Sequence, residues 1–333
     1  MESVYRRLSK AYGFPKSKYL PKIFGMCLTE QEASFLLSLP GTTEEIAGKL
    51  RIEVSNVQPI LGELLNKGFI YYDFMEGKRK YTLIDPVMSA IMVGKWSDQF
   101  GKEFFDLCDR MFEEEISHDF DVEGCEARVA PVHKAIESGI EILPYEKLSD
   151  ILREAETIAV MRCPCRVRGR RCNNPLEVCI SLNESAERLL ERRVARELTK
   201  EEALSIFNIC EDLGLVHQVD NASHGVSWIC NCCTCCCIYL RAQIFLGRKH
   251  ATVKSRYSSV VDPELCDGCG LCVDRCNFGA IKMVNSKLVI DEEKCFGCGL
   301  CVSKCPTNAI RLIQVRGPEH IPVREAEPLF TSL

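Results

Sequence analysis

Residues 266–306 constrain the chain more than any other stretch. They read Cys266-Asp-Gly-Cys269-Gly-Leu-Cys272-Val-Asp-Arg-Cys276, then Cys295-Phe-Gly-Cys298-Gly-Leu-Cys301-Val-Ser-Lys-Cys305-Pro306. Each half is C-x2-C-x2-C-x3-C. Iron in a cubane needs soft thiolate ligands at its corners. Three cysteines on one tight loop can wrap three irons, while the fourth points away from that loop and serves the other cluster. The spacing therefore assigns Cys266, Cys269, Cys272 and Cys305 to one [4Fe–4S] cluster, and Cys276, Cys295, Cys298 and Cys301 to a second. Gly268, Gly270, Gly297 and Gly299 let the backbone turn and aim N–H groups at sulfur.

The halves also match outside the cysteines: Gly279-Ala280-Ile281 answers to Asn308-Ala309-Ile310. Over roughly 260–315 this resembles the bacterial two-cluster ferredoxin family. A zinc site would not need the doubled spacing. One departure is Asn277, which stands where the family usually has Pro after Cys276. It bears on a loop, not on the ligand set.

At 333 residues the chain is long enough for two or three domains. Its net charge of −5 disfavours binding nucleic acid through bulk charge. Twenty-two cysteines arranged as C-x2-C, C-x-C and C-C suit metal better than a disulfide framework. No charged-then-apolar leader and no membrane-length apolar run is visible. The expectation is a cytoplasmic, reduced and anaerobic setting.

Residues 1–25 are basic and aromatic, with Pro15 and Pro21 against a long helix, and read as an arm. Capping boxes at Thr29–Glu32, Thr42–Glu45 and Ser55–Gln58 announce three helices, the last with Pro59 in its first turn and Gly68 at its end. Two β-rich runs follow around Glu76-Gly77. Three short helices and a hairpin, roughly 26–85, resemble a winged-helix domain, which implies that the helix over 56–67 is the reading helix. Its polar face would offer Asn56, Gln58, Glu63, Asn66 and Lys67, and the hairpin tip Lys78, Arg79 and Lys80. Residues 1–92 carry a net formal charge of only +2, so DNA is not the favoured partner, and protein docking or a homodimer through this domain fits better.

Residues 95–117 read as one amphipathic helix with an aromatic stripe for the core. Cys27, Cys108 and Cys125 read as isolated buried thiols. Asp119–Cys125 reads as a loop, and helices are expected from Pro131 and Pro144. A second cysteine set then opens with Cys163-Pro-Cys165, Cys172 and Cys179. After a helical insert, in which Arg192–Glu197 reads as a solvated basic face, comes Cys230-Asn-Cys232-Cys233-Thr-Cys235-Cys236-Cys237. If that run is helical, Cys232/Cys236 and Cys233/Cys237 share a face. Cys163 and Cys165 would share one side of an extended segment. Four thiolates from these groups can hold a third centre, an iron–sulfur cluster in preference to zinc. Its candidate ligands are Cys163, Cys165, Cys172, Cys179, Cys230, Cys232, Cys233 and Cys236. Arg166, Arg168, Arg170 and Arg171 either balance thiolate charge or are solvated. His217 and His224 read as packed or surface residues rather than ligands. This region resembles iron–sulfur proteins of anaerobes whose activity the resemblance does not supply.

The expected fold is α+β and multidomain: a winged helix with its arm over 1–92, a mixed helical cysteine-rich domain over 93–258, a two-cluster ferredoxin domain over 259–315 and an extended tail over 316–333. The expected function is one-electron transfer to or from a partner oxidoreductase. The rivals are a redox-sensing DNA-binding regulator and a reductase that binds substrate at the middle centre. No P-loop, dinucleotide fingerprint or Ser/His/Asp arrangement appears.

Overall fold

The computed structural model describes residues 2–121, 125–132, 135, 142–327 and 331–332. Most of the helix expected from Pro131, part of the Asp119–Cys125 loop and Pro328 in the tail lie outside these residues.

The N-terminal module opens with α1 (Val4–Ala11) and α2 (Leu20–Cys27), the latter with Pro21 in its first turn. They are more than an arm: Leu8, Tyr12, Leu20, Ile23 and Phe24 are buried, and the Tyr12 hydroxyl donates to the Phe69 carbonyl at 2.5 Å. α3 (Glu30–Leu36) starts at a Thr29/Glu32 capping box. After β1 (Gly41–Thr42), α4 (Thr43–Leu50) starts at a second box, Thr42/Glu45. α5 (Val54–Lys67) departs from the expected start: it begins at Val54 behind Glu53, with no side-chain cap. Ser55 is therefore inside the helix and Pro59 lies beyond the first turn, where it removes one backbone donor. Gly68 ends α5 at φ 83°, a left-handed position that suits glycine. The hairpin β2 (Ile70–Met75) and β3 (Lys78–Asp85) pairs in register from Ile70↔Leu83 to Met75↔Lys78, and β1 pairs β3 at Lys80–Tyr81. α6 (Val87–Val93) follows. The single helix expected over 95–117 is broken: a 3-10 turn spans Lys95–Gln99, extended Phe100 and Gly101 intervene, α7 covers Lys102–Met111, and the chain widens into a π turn over Phe112–Ile116.

The middle region corrects the helical expectation. Short apolar runs pair instead as six antiparallel strands. The elements in order are β4 (Ala127–Val129), α8 (Leu148–Glu154), β5 (Ile158–Arg162), α9 (Pro164–Gly169), β6 (Glu177–Leu182), α10 (Asn183–Glu191), β7 (Ala195–Glu197), α11 (Lys200–Leu213), β8 (Val216–Asp220), β9 (Trp228–Cys232) and α12 (Ile238–Phe245). The sheet order is β4-β8-β9-β6-β5-β7. Alternation gives the sheet two unlike faces. Ile158, Val160, Ile180, Leu182, Val219 and Ile229 pack with Ile151 and Leu152 of α8 and Ala203 and Phe207 of α11. The intervening positions, among them Cys179, Cys230 and Cys232, belong to the opposite face. Arg192 is buried rather than solvated: it donates to the carbonyls of Leu65 and Ala90 at 3.2 and 3.0 Å, fastening this region to the N-terminal module.

The C-terminal module has β10 (Tyr257–Val261), α13 (Leu271–Arg275), the hairpin β11 (Ile281–Val284) and β12 (Lys287–Ile290), and β13 (Ile310–Gln314), which pairs β10. It is held to the middle region at several points. Arg256 and Glu146, both fully buried, pair at 2.8 Å, and the Tyr257 hydroxyl donates to the same carboxylate at 3.1 Å. The Val132 N–H donates to the Cys298 carbonyl at 2.9 Å. Arg275 reaches the carbonyls of Glu211 and Asp212 at the end of α11, and the Asn277 amide donates to Gly214 at 3.0 Å. The tail runs back along 221–227, exchanging backbone hydrogen bonds between His224 and both Arg324 and Ala326. Finally β14 (Thr331–Ser332) pairs β3 at Asp85 and Ile84.

Candidate metal centres

Four groups of cysteines converge, two in each of the last two modules. In the C-terminal module one cavity is lined by Cys266, Cys269, Cys272 and Cys305, and another by Cys276, Cys295, Cys298 and Cys301. The loops turn through left-handed glycines: Gly268 and Gly270 at φ 73° and 77°, Gly297 and Gly299 at 66° and 75°. The second pair has a further reason to lack side chains. A Cβ at Gly297 would run into Ser255 and the Tyr257 carbonyl, and one at Gly299 would stand 2.5 Å from Ala135. Donors point at sulfur in matching positions of the repeat. Ala280 N–H donates to Cys276 at 3.2 Å, and Ala309 N–H to Cys305 at 3.2 Å. The Ser259 hydroxyl lies 3.2 Å from the Cys301 sulfur. Burial pushes the Cys301 thiol up to about 12 despite that contact, so ionisation there calls for a metal's positive charge. At Cys305 burial is outweighed by hydrogen bonds from Thr307 and from the N–H groups of Ile310 and Ala309, which hold the thiol below its ordinary value.

In the middle region Cys172, Cys233, Cys235 and Cys236 bring their sulfurs within 4.8 Å of one another, with Cys172–Cys233 and Cys235–Cys236 each at 3.7 Å. Cys172 lies on the loop after α9, and the other three lie in the turn between β9 and α12. That turn is not helical, so the expected helix-face pairs do not form. A Cβ at Gly169 would press on the Cys236 sulfur at 3.2 Å, so the close approach of α9 depends on glycine. The Cys233 thiol is pulled down to about 4, first by its hydrogen bond with Cys236 and then, against burial, by the Arg166 charge.

Six more cysteines close a ring, with Cys210 of α11 outside it. The Cys163 thiol meets those of Cys165 and Cys179; Cys179 meets Cys230; Cys230 meets Cys232; Cys232 meets Cys237; and Cys237 meets Cys165. The sheet explains half of it. Ile180 faces Ile229 across β6 and β9, so Cys179 and Cys230 are neighbours on the face away from α8 and α11, with Cys232 two residues along. Cys163 caps α9 and Cys165 sits in its first turn, correcting the extended Cys163–Cys165 segment. Cys237 precedes α12 and contacts the Gln218 amide oxygen at 3.3 Å. The Cys179 thiol is pulled down to about 5 by hydrogen bonds with Cys163 and Cys230, against burial.

The eight cysteines expected to serve one middle centre are thus divided. Cys172, Cys233 and Cys236 gather with Cys235, while Cys163, Cys165, Cys179, Cys230 and Cys232 gather with Cys237. Cys235 and Cys237 are not among the candidate ligands read from the sequence; a helical period pairs Cys237 with Cys233, whereas the run leaves a strand at Cys232 and turns. His217 lies with Asn231 on the sheet's other face, 2.6 Å from its amide, and His224 is exposed. Arg166 and Arg168 are buried beside the thiols, whereas Arg171 pairs with Glu113 at 2.9 Å and Arg170 lies over the Phe105 ring. Arg166 donates to the carbonyls of Pro175 and Asn231 at 2.6 Å each and to the Cys233 thiol. Among the described residues no carboxylate pairs with it. Cys27 and Cys108 are buried, and Cys125 is half-buried with its thiol donating to Ala251 at 3.0 Å.

A cavity of about 560 Å³ adjoins this region, lined by Phe112, Phe120, Arg168, Ile238 and Tyr239 among others. No helix among the described residues is long and apolar enough to cross a membrane. No curated protein and no solved structure matches the chain. Residues 265–309 match the family model described as a 4Fe-4S dicluster domain, and the chain therefore ends in a ferredoxin-like iron–sulfur domain.

Proposed function

We propose that the protein passes single electrons through two [4Fe–4S] clusters in its C-terminal module, and through a further centre in its middle region, to or from a partner oxidoreductase. Cys266, Cys269, Cys272 and Cys305 hold one cluster; Cys276, Cys295, Cys298 and Cys301 hold the other. When bound, the clusters supply the one-electron redox step. The chain's own residues bury the sulfurs and direct N–H and hydroxyl groups at them, which sets the potential. The observation that carries this reading is continuous packing. Cys272, Cys276, Cys301 and Cys305 share one apolar cluster, and Cys298 shares another with Cys230, Cys232 and Cys237 around Phe296 and Leu300. The metal positions are thus neighbours across the module boundary.

The N-terminal module supports the reading as a docking surface. Its order of helix, strand, two helices and hairpin is compatible with a winged helix. On the exposed side of α5, Lys67 is engaged by Glu32 and Glu63 at 2.5 and 2.7 Å, leaving little positive charge for phosphate. The test is anaerobic purification with iron and acid-labile sulfide analysis, followed by dithionite. Visible absorption that bleaches and returns on oxidation is expected. A colourless, well-folded protein loaded with zinc alone would refute electron transfer.

A second reading, a reductase, is favoured by the cavity beside Arg168 and Ile238, which has room for a small substrate one residue away from Cys237. Its mark would be a substrate that reoxidises the reduced protein at a rate lowered by Arg168→Met.

A further inference from the structure

We propose that ten cysteines of the middle region build two separate metal centres: one tetrahedral zinc on Cys172, Cys233, Cys235 and Cys236, and one iron–sulfur cluster within the ring of Cys163, Cys165, Cys179, Cys230, Cys232 and Cys237. This rests on the reading that the middle region binds metal, and it names the number and kind of its centres.

Sulfur spacing separates the two. Thiolates that share a single ion stand at the corners of a small tetrahedron. With metal–sulfur bonds of about 2.3 Å its edges are about 3.8 Å. The two 3.7 Å contacts in the Cys172/Cys233/Cys235/Cys236 set match that edge. Thiolates on the outer corners of a cubane stand further apart, because a cage of iron and sulfide separates them. Among the described residues no other three thiols come within 4.8 Å of one another. The ferredoxin-like sets accordingly surround open cavities. The six ring thiols contain no such single-ion set, so they suit a group larger than one ion.

Charge supports the same division. Zinc with four thiolates carries a net charge of −2, which is costly to bury alone. Arg166 donates to the Cys233 thiol, and Arg168 donates to the Cys236 carbonyl at 3.0 Å. Of these, Arg166 has no carboxylate partner among the described residues and offsets that charge, while Arg168 is already paired with Asp109 at 3.2 Å. Arg166 is also attracted to Cys163 and Cys179 of the ring, so it stands between the centres. Topology agrees as well. The tetrahedral set comes from two loops, whereas half of the ring lies on the sheet, and its Cys230, Cys232 and Cys237 share their packing with Cys298. The electron path therefore runs through the ring and leaves the zinc as its brace.

The experiment compares the anaerobically purified full chain with Cys235→Ser and Cys179→Ser. The parent should carry about one zinc and about twelve iron. Cys235→Ser should lose at least about fivefold of its zinc and keep its iron. Cys179→Ser should lose about a third of its iron and keep its zinc. The electron paramagnetic resonance signal of the reduced ferredoxin-like clusters serves as the folding control in both. Loss of the same metal from both variants would overturn the division, as would a parent with about sixteen iron and no zinc. A parent with about eight iron and no zinc would refute any middle centre, which is failure of the broader reading. Should Cys179→Ser fail to fold, absorption at the zinc edge of the parent decides. Four sulfurs at about 2.3 Å support the proposal, and nitrogen or oxygen ligands overturn it.

Discussion

The two cysteine-rich regions reach similar chemistry by opposite routes. In the C-terminal module eight cysteines lie between Cys266 and Cys305, on loops that local glycines shape. In the middle region ten candidate ligands are spread from Cys163 to Cys237, with Cys210 apart from them in α11, and a sheet must form before they meet. The first site is coded by spacing. The second is coded by which face of a strand each residue occupies. The first keeps Cys269 exposed, while the second keeps Arg166, Arg168 and most of its thiols buried.

The sharpest way to break this comparison is Cys305→Ser. It should abolish the cluster held by Cys266, Cys269 and Cys272, because the fourth ligand is borrowed from the other half of the repeat. Site-resolved spectroscopy that instead finds the Cys295/Cys298/Cys301 cluster missing would show that each half closes on itself. Glu146→Ala tests the joint between the regions. It leaves Arg256 buried without its carboxylate, and should cost about 3–5 kcal/mol in a denaturant titration. A loss below about 1 kcal/mol would mean that water replaces the pair and the joint lies elsewhere.

A smaller effect belongs to the middle sheet alone. Burial pushes the Asp220 carboxyl up to about 7, against hydrogen bonds from Ser227 and Trp228, from an ordinary value of 3.8. Between those values the folded chain holds a proton that the unfolded chain releases. Stability from this group is therefore complete below 3.8 and falls as pH rises towards about 7, by at most about 1.4 kcal/mol per pH unit. Asp220→Asn should flatten the fall in melting temperature between about pH 5.5 and 7. Equal slopes in both proteins would point to another group. The smallest effect is expected at the hairpin. Exchanging Lys78, Arg79 and Lys80 for Glu should leave duplex DNA binding as weak as before, since Arg79 already pairs with Glu191 at 3.1 Å. Tight binding with a steep salt dependence, abolished by the exchange, would make the regulator the correct class.

The same contrast explains what was legible in the sequence. Thr29/Glu32, Thr42/Glu45 and Thr199/Glu202 are capping boxes in the sequence and in the structure, because a cap is local. Ser55 has the right pattern but lies inside α5, whose start is set by extended Glu53. The eight C-terminal cysteines could be grouped from spacing alone. The middle ten could not, since Cys179 meets Cys230 only after β6 and β9 pair. Reading Cys230–Cys237 with a helical period hid the alternation of Cys230 and Cys232. Asn277 looked like a loop variation, yet its amide fastens the ferredoxin-like domain to Gly214. No pattern in the chain announces a contact of that kind.

The pairing of β14 with β3 also has a consequence in time. Residues 331–332 leave the ribosome after all 22 cysteines, yet they cover Ile84 and Asp85 of a strand made long before. During synthesis that strand edge waits uncovered while every sulfur emerges, so metal can be delivered to a chain that has not yet fastened its first module to its last. Chains held on the ribosome by a linker that leaves Cys305 outside the tunnel and residues 331–332 inside it should take up iron while the Asp85 amide is still open to exchange. Protection of that amide in such chains would place the fastening earlier.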